Sequence, residues 1–249
     1  MKIDNRDHID HLSIYTTFNI LHLTMGINIE KYNSLTKELT GRATLVAVSK
    51  TKPVEDIQAL YNLGERDFGE NYVQELADKA AVLPKDIRWH FIGHLQSNKA
   101  KYIAPFVHLV HGVDSISLLK EINKQAIKNN RVIDCLLQIH IAKEETKFGL
   151  NEDELDEVIQ LIQTENTFAN IRITGLMGMA SFSDDQELVR SEFAYLRSLY
   201  DKHISRLFTN FQFSILSMGM SSDYKIALEE GSNLVRIGSL LFGERNYTT

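Results

Sequence analysis

Lys50 closes the apolar run Leu45-Val-Ala-Val-Ser49. An amine held at the end of such a run loses water. Desolvation disfavours the ammonium form, and the neutral amine can attack a carbonyl to give a Schiff base. Two further stretches supply a different chemistry. Gly219, Ser221 and Ser222 follow one apolar run, and Gly238 and Ser239 follow another. Small residues let backbone N–H groups and hydroxyls approach an anion closely, and the helix expected to begin near Asp223 would add its N-terminus. Arg236 stands two positions before Gly238 and so shares its strand face. A fixed cation there can meet an aromatic nitrogen or a carboxylate. Each feature alone has a plainer reading: a strand-end lysine can simply reach solvent, and a Gly-Ser pair can be only a turn. Together they describe one site.

Such residues meet only if the fold brings distant strand ends together. From Met25 onward, short β-branched runs alternate with longer stretches of helical spacing. The runs predict eight strands, at Thr44–Ser49, Arg66–Glu70, Arg88–Ile92, Val107–Val113, Ile133–Ile141, Ile171–Met177, Gln212–Met218 and Leu234–Ile237. Amphipathic stretches at Val54–Leu63, Val73–Val82, Ile116–Asn129, Glu152–Gln163 and Gln186–His203 have the length of crossover helices. About 28 residues per unit, in a chain of 249, predicts a single (β/α)8 TIM barrel of the α/β class. No G-x-G-x-x-G follows the first strand, which argues against a dinucleotide fold. In a TIM barrel the chemistry lies at the C-terminal strand ends. Lys50 ends the first strand, Asn71 the second, and the two Gly/Ser loops the seventh and eighth.

Composition narrows the partners. A net charge of −6 has the wrong sign for nucleic acid or an anionic membrane as principal partner. The single cysteine, Cys135, cannot form an internal disulfide, so a reducing cytoplasm is the expected setting. No apolar run approaches the ~20 residues of a membrane span. Residues 1–24 show no signal-peptide pattern and read as a non-core extension ahead of the 25–249 barrel, with Met25 as the expected natural start. His8, His11 and His22 in that segment lack a completing ligand set, and no metal is expected. A helix beginning near Asn28 to Glu30 is expected to pack across the barrel bottom.

Lysine, anion cup and inward arginine together suit pyridoxal 5′-phosphate. The matching stretches are Leu45-Val-Ala-Val-Ser-Lys-Thr-Lys-Pro53, Phe68-Gly-Glu-Asn-Tyr-Val-Gln-Glu75, Trp89-His-Phe-Ile-Gly-His-Leu-Gln-Ser-Asn-Lys99, Lys147-Phe-Gly149, Gly175-Leu-Met-Gly-Met179, Ser217-Met-Gly-Met-Ser221, Val235-Arg-Ile-Gly238 and Phe242-Gly243. Through them the chain resembles the pyridoxal phosphate homeostasis protein family, whose fold is similar to the N-terminal barrel domain of alanine racemase. The resemblance runs from about Ile29 to Arg245. It implies that Lys50 carries the cofactor as a Schiff base and that Asn71 contacts the ring. It further implies that Ser221, Gly238 and Ser239 bind the phosphate and that Arg236 faces the pyridine nitrogen. A guanidinium cannot accept the pyridinium proton, so the ring would stay unprotonated and be a poorer electron sink.

The implied role is a non-catalytic carrier, expected to be monomeric, that buffers pyridoxal phosphate and delivers it to apo-enzymes. About seven residues follow the last motif, so the second domain from which a racemase takes its tyrosine is not expected, and Tyr247 is a poor substitute. A racemase or lyase of the alanine racemase type remains the alternative, and a phosphosugar isomerase or aldolase using Lys50 is a third reading. Other groups have plainer roles. His90 reads as scaffolding, while His94, Gln96 and Asn98 would shape the mouth. Met177, Met179, Met218 and Met220 read as packing near the ring. Asp184, Asp185 and Glu187 read as an acidic first turn. Lys143 and Lys147 could form a secondary anion site.

Overall fold

The computed structural model describes residues 26–144, 148–164, 166–205 and 210–243. The chain winds through α1 (Ile29–Leu39), β1 (Thr44–Val48), α2 (Val54–Asn62), β2 (Asp67–Glu70), α3 (Val73–Val82), β3 (Arg88–Phe91) and α4 (Ala100–Ile103). It continues through β4 (Leu109–Val113), α5 (Ile116–Lys128), β5 (Ile133–Ile139), α6 (Glu152–Thr164), β6 (Ile171–Gly178) and α7 (Gln186–His203). It ends with β7 (Phe211–Met220), α8 (Tyr224–Glu229), β8 (Leu234–Ile237) and α9 (Ser239–Phe242). All strands pair in parallel, and β8 returns to β1 to close an eight-stranded barrel. Closure leaves no sheet edge. Side chains of period two then divide between the lumen and the wall beneath the helices.

The two faces differ in content. On the wall, Leu45, Ala47, Phe68, Trp89, Phe91, Val110, Cys135 and Val235 join the large core under the helices. In the lumen a smaller apolar cluster gathers Val46, Leu109, Leu136, Met177 and Leu234. Each lumen residue lies one position out of step with its wall neighbours. Lys50 therefore follows Val46 and Val48 onto the lumen face, and Arg236 follows Leu234.

Helix ends are fixed locally. Asn28 caps α1 by accepting from the Lys31 amide at 2.9 Å, Ser115 caps α5 through Leu118, and Asp185 caps α7 through Glu187 and Leu188. The position of α1 corrects the expectation that it crosses the barrel bottom. Its leading amide, at Asn28, donates to the Leu241 carbonyl beyond β8 at 2.7 Å, and its far end turns directly into β1. It therefore runs from the C-terminal rim to the N-terminal rim along the wall. The physical reason is a vacancy in the helix ring: α9 is only four residues long, so the eighth helix slot must be filled by α1, which buries Tyr32, Leu35 and Leu39 there.

Strand boundaries shift for identifiable reasons. β4 starts at Leu109, not Val107, because the Arg131 guanidinium claims the carbonyls of Ala104 and Val107 at 2.6 and 2.7 Å. β5 stops at Ile139, where the chain instead exchanges backbone bonds with Leu150. Among the described residues no helix is long and apolar enough to cross a membrane. His8, His11, His22, Lys147, Tyr247 and the proposed start at Met25 lie outside the described residues.

Candidate functional site

One cavity of about 360 Å³ opens at the C-terminal ends of the strands. Its lining includes Lys50, Asn71, Ser221, Arg236, Gly238 and Ser239, the six positions that the resemblance assigns to the cofactor, but not Gly219 or Ser222, which were also expected to serve the anion. The fold draws them from β1, β2, β7 and β8, so they converge only because β8 closes on β1. That volume lies within the range of small-ligand sites.

The lysine end rests on a buried polar cluster. Beyond Lys50 the backbone turns at Thr51, whose φ of +63° is unusual for a β-branched residue. The turn is held by the Thr51 amide, which donates to Glu75 Oε1 at 2.6 Å. Glu75 in turn accepts from the Lys79 ammonium at 2.6 Å, and Lys79 also donates to Glu70 Oε1 at 2.7 Å and to the Ser49 carbonyl at 2.8 Å. The Ser49 hydroxyl donates to the same Glu70 oxygen. Glu70 is fully buried, and burial pushes its carboxyl above the usual range even though the neighbouring Lys79 charge pulls it down. Lys79 thus braces the strand end that presents Lys50.

On the adjacent strand β8, level with Val46 of β1, Arg236 is buried to 4 % exposure and donates to Ser217 Oγ at 2.6 Å and to the Gly178 carbonyl at 3.0 Å. Both acceptors are neutral. Burial lowers the guanidinium to about 10, with Asp223 pulling weakly the other way, and Arg236 forms no ion pair among the described residues. A buried cation with neutral partners favours an electron-rich ligand atom at its face. Asn71 offers a matching signal, because its side-chain oxygen is buried without a hydrogen-bond partner. Gly93 lets Asn71 sit where it does, since a Cβ there would lie 2.4 Å from the Asn71 carbonyl oxygen.

The third side is built from the two Gly/Ser loops. Gly219 adopts φ +95°, and a Cβ at that position would meet Ala227 at 2.6 Å, so the β7 end passes close over α8. The Gly238 amide donates to Ser221 Oγ at 3.2 Å, which stitches the loops together. Asp223 turns its carboxylate back to the Met220 amide at 2.5 Å and closes the first loop. In α9 the Leu241 and Phe242 amides donate to the Gly238 carbonyl at 2.9 Å, which leaves the Ser239 and Leu240 amides at its N-terminus without an intrahelical acceptor.

Several lining residues were not singled out from sequence. Lys52 spans to the Phe242 carbonyl at 2.7 Å, and Phe182 stands 90 % exposed at the entrance. Lys52 carried a signal, since it repeats the lysine type two residues after Lys50 on the same loop. Phe182 carried none. Met179 and Met220 line the cavity, whereas Met177 and Met218 are fully buried. His94 and Gln96 do not line this cavity but a neighbouring depression that shares Asn71, and His94 is bonded to Asp114 at 3.0 Å and stacked on Phe148 with ring centres 4.0 Å apart. Lys143 lies away from the cavity, its amide bonded to Ser181 and Glu192.

Comparison with known proteins fits this geometry. The sequence matches the alanine racemase N-terminal domain family over residues 28–246. A pyridoxal phosphate homeostasis protein of Aquifex aeolicus is 44% identical over 206 residues, covering 82% of this chain and 88% of the relative. This chain belongs to the pyridoxal phosphate homeostasis protein family. The human family member is 40% identical over 214 residues, with 82% of this chain and 77% of the relative covered. PipY of Synechococcus elongatus, solved with pyridoxal phosphate bound, superposes with a TM-score of 0.77 at 33% identity, covering 86% of this chain and 99% of that one. Alanine racemase from Bartonella henselae shares the fold, with a TM-score of 0.64 at 18% identity, and this chain covers 60% of its length.

Proposed function

We propose that the chain binds pyridoxal 5′-phosphate in this cavity and serves in its homeostasis as a carrier, holding the cofactor as a Schiff base and delivering it to apo-enzymes. The observation that carries the reading is the convergence of Lys50, Arg236 and the stitched Ser221/Gly238 loops on one cavity. Bound there, the cofactor would supply an aldehyde for a lysine amine. Lys50 is the lumen-facing amine at the mouth. The Ser221 hydroxyl and the amides of Gly238 and Ser239 would take the phosphate, and Asn71 would lie at the ring. Arg236, donating only, would face the ring nitrogen and keep it unprotonated, which withholds the electron sink that amino-acid chemistry needs.

The test is the visible absorbance of purified protein mixed with pyridoxal phosphate, for wild type and Lys50→Ala. A band in the wild type, absent from Lys50→Ala and fixed by borohydride as added mass on Lys50, is expected. No band in wild type removes the reading. Transfer is followed as recovery of activity by an apo-enzyme mixed with loaded protein, faster than dilution from free cofactor. The likeness to alanine racemases favours one second reading, an amino-acid racemase. Racemisation of single enantiomers of alanine or serine well above that given by free cofactor would favour it over the carrier.

A further inference from the structure

The lumen beneath Arg236 holds an unbroken line of polar groups. Ser217 Oγ, which accepts from Arg236, lies 3.2 Å from His111 Nδ1. His111 Nε2 lies 2.9 Å from His90 Nδ1, and His90 Nε2 lies 3.0 Å from Asp67 Oδ1. Asp67 is gripped by the Arg88 guanidinium, whose Nε donates to Oδ1 at 2.6 Å and whose Nη2 donates to Oδ2. Asp67 and Arg88 are the first residues of β2 and β3, at the opposite end of the barrel from the cavity. Ser217, His111 and His90 are each at most 2 % exposed.

The two ends set the direction of every proton between them. Arg236 can only donate and an ionised Asp67 can only accept. His90 therefore carries its proton on Nε2 toward Asp67, which leaves Nδ1 to accept from His111 Nε2–H. His111 Nδ1 then accepts the Ser217 hydroxyl, and the Ser217 oxygen lone pair is turned to Arg236. Neutral imidazoles satisfy every link. A second proton on His90 would reverse both histidines, aim a donor at a Ser217 oxygen already occupied by Arg236, and leave the serine hydrogen outside the line. The surroundings agree: burial above all, together with the Arg236 charge, holds His111 well below the ordinary imidazole range. Burial raises the Asp67 carboxyl, but the bonds from His90 and Arg88 outweigh it and hold the group at about 2. The aligned dipoles present a negative end to Arg236 and a positive end to Asp67.

We propose that Ser217, His111, His90 and Asp67 form a one-way hydrogen-bond relay that positions Arg236, so that the arginine presented to the ring nitrogen is held from the far end of the barrel. The role assigned to Arg236 rests on the cofactor reading above; the relay does not. The four are positioning residues, since none lines the cavity. His111→Leu fills the space and breaks both links. His111→Gln restores them, its amide oxygen accepting from Ser217 and its amide nitrogen donating to His90. Asp67→Asn keeps an acceptor but removes the charge.

The experiment has two arms. In the protein without added ligand, nitrogen NMR of the imidazoles should show His90 and His111 neutral with the proton on Nε2. An imidazolium or an Nδ1-protonated ring at either position would overturn the relay. In protein loaded with pyridoxal phosphate, the release rate should rise about tenfold or more in His111→Leu and shift the bound absorbance maximum, since links to a charged group carry that much. His111→Gln should stay within about twofold of wild type on the same scale. Leucine releasing at the wild-type rate, or glutamine failing as badly as leucine, would overturn the relay while leaving the cofactor reading intact. A wild type that binds no pyridoxal phosphate would remove the cofactor reading and leave the relay to the NMR result. Should His111→Leu not fold, Asp67→Asn takes its place, with the same faster release expected and an unchanged rate counting against the relay.

Discussion

Lys79→Met is expected to be among the most damaging single substitutions on the wall of the barrel. Lys79 is 5 % exposed, and its ammonium meets Glu70, Glu75 and the Ser49 carbonyl at 2.6 to 2.8 Å. Methionine fills the stem but leaves the Glu70 carboxylate buried, with its second oxygen already without a partner. Removing one member of a buried pair costs about 3–5 kcal/mol. In a domain of this size each kcal/mol lowers Tm by roughly 2–4 °C, so a loss of about 6–20 °C is expected. The pH dependence follows from Glu70, whose folded pKa is raised chiefly by burial. Folding therefore favours its protonated form. That contribution is complete below the unfolded carboxyl value of ~4.3 and fades as pH rises through the folded value. Losing the Lys79 charge raises the folded value further, so the variant should suffer more at pH ~8 than at pH ~5. Denaturant midpoints at both pH values measure this, and Glu70→Gln/Lys79→Met should recover most of the loss. A single variant within about 1 kcal/mol of wild type, or equally destabilised at both pH values, would refute the reasoning.

Three other outcomes are expected. Asp67, held at about 2, contributes roughly 2–3 kcal/mol that is present above the unfolded value of ~3.9 and lost as pH falls through 2, so acid unfolding of Asp67→Asn should be flatter over that window. Gly93→Ala places a methyl against the Asn71 backbone and should both weaken ligand binding and lower stability by about 1–3 kcal/mol, read by titration and by chemical denaturation. Cys135 is fully buried and burial pushes its thiol up, so a thiol reagent should label it only at the rate of unfolding; rapid labelling of native protein would contradict its placement.

The barrel was legible because its signal is repetition. Eight β-branched runs at regular spacing leave few alternatives, and the six lining residues could be named because a closed barrel gathers strand ends at one rim. What escaped was set by contacts between elements. The α4 turn follows a polar stretch, Gln96-Ser-Asn-Lys99, that carries no amphipathic period. The position of α1 depended on the brevity of α9, at the other end of the chain. Lys79 looks like any helix-surface lysine, because nothing local reveals that Glu70 and Glu75 will close over it. His90 and His111 were each readable as lone polar residues in apolar runs. Their common meaning appears only when β2, β3, β4 and β7 bring Asp67, His90, His111 and Ser217 into line.

The two polar networks also show how one strand serves both ends of the site without mixing them. Asp67 and Glu70 both belong to β2, yet an odd separation places them on opposite faces of the sheet. Asp67 enters the lumen and belongs to the line that ends at Arg236. Glu70 enters the wall and belongs to the cluster that ends beneath Lys50. Phe68 and Gly69 lie between them, one packed into the wall core and the other facing Val46 and Ile92. No side-chain hydrogen bond joins the two networks among the described residues. Sites without shared partners add within about 0.3–0.5 kcal/mol, so the stability losses of Lys79→Met and His111→Leu should sum in the double variant. A coupling beyond that range would mean that the strand transmits strain between its faces, and that the lysine and arginine ends of the cavity are set together rather than separately.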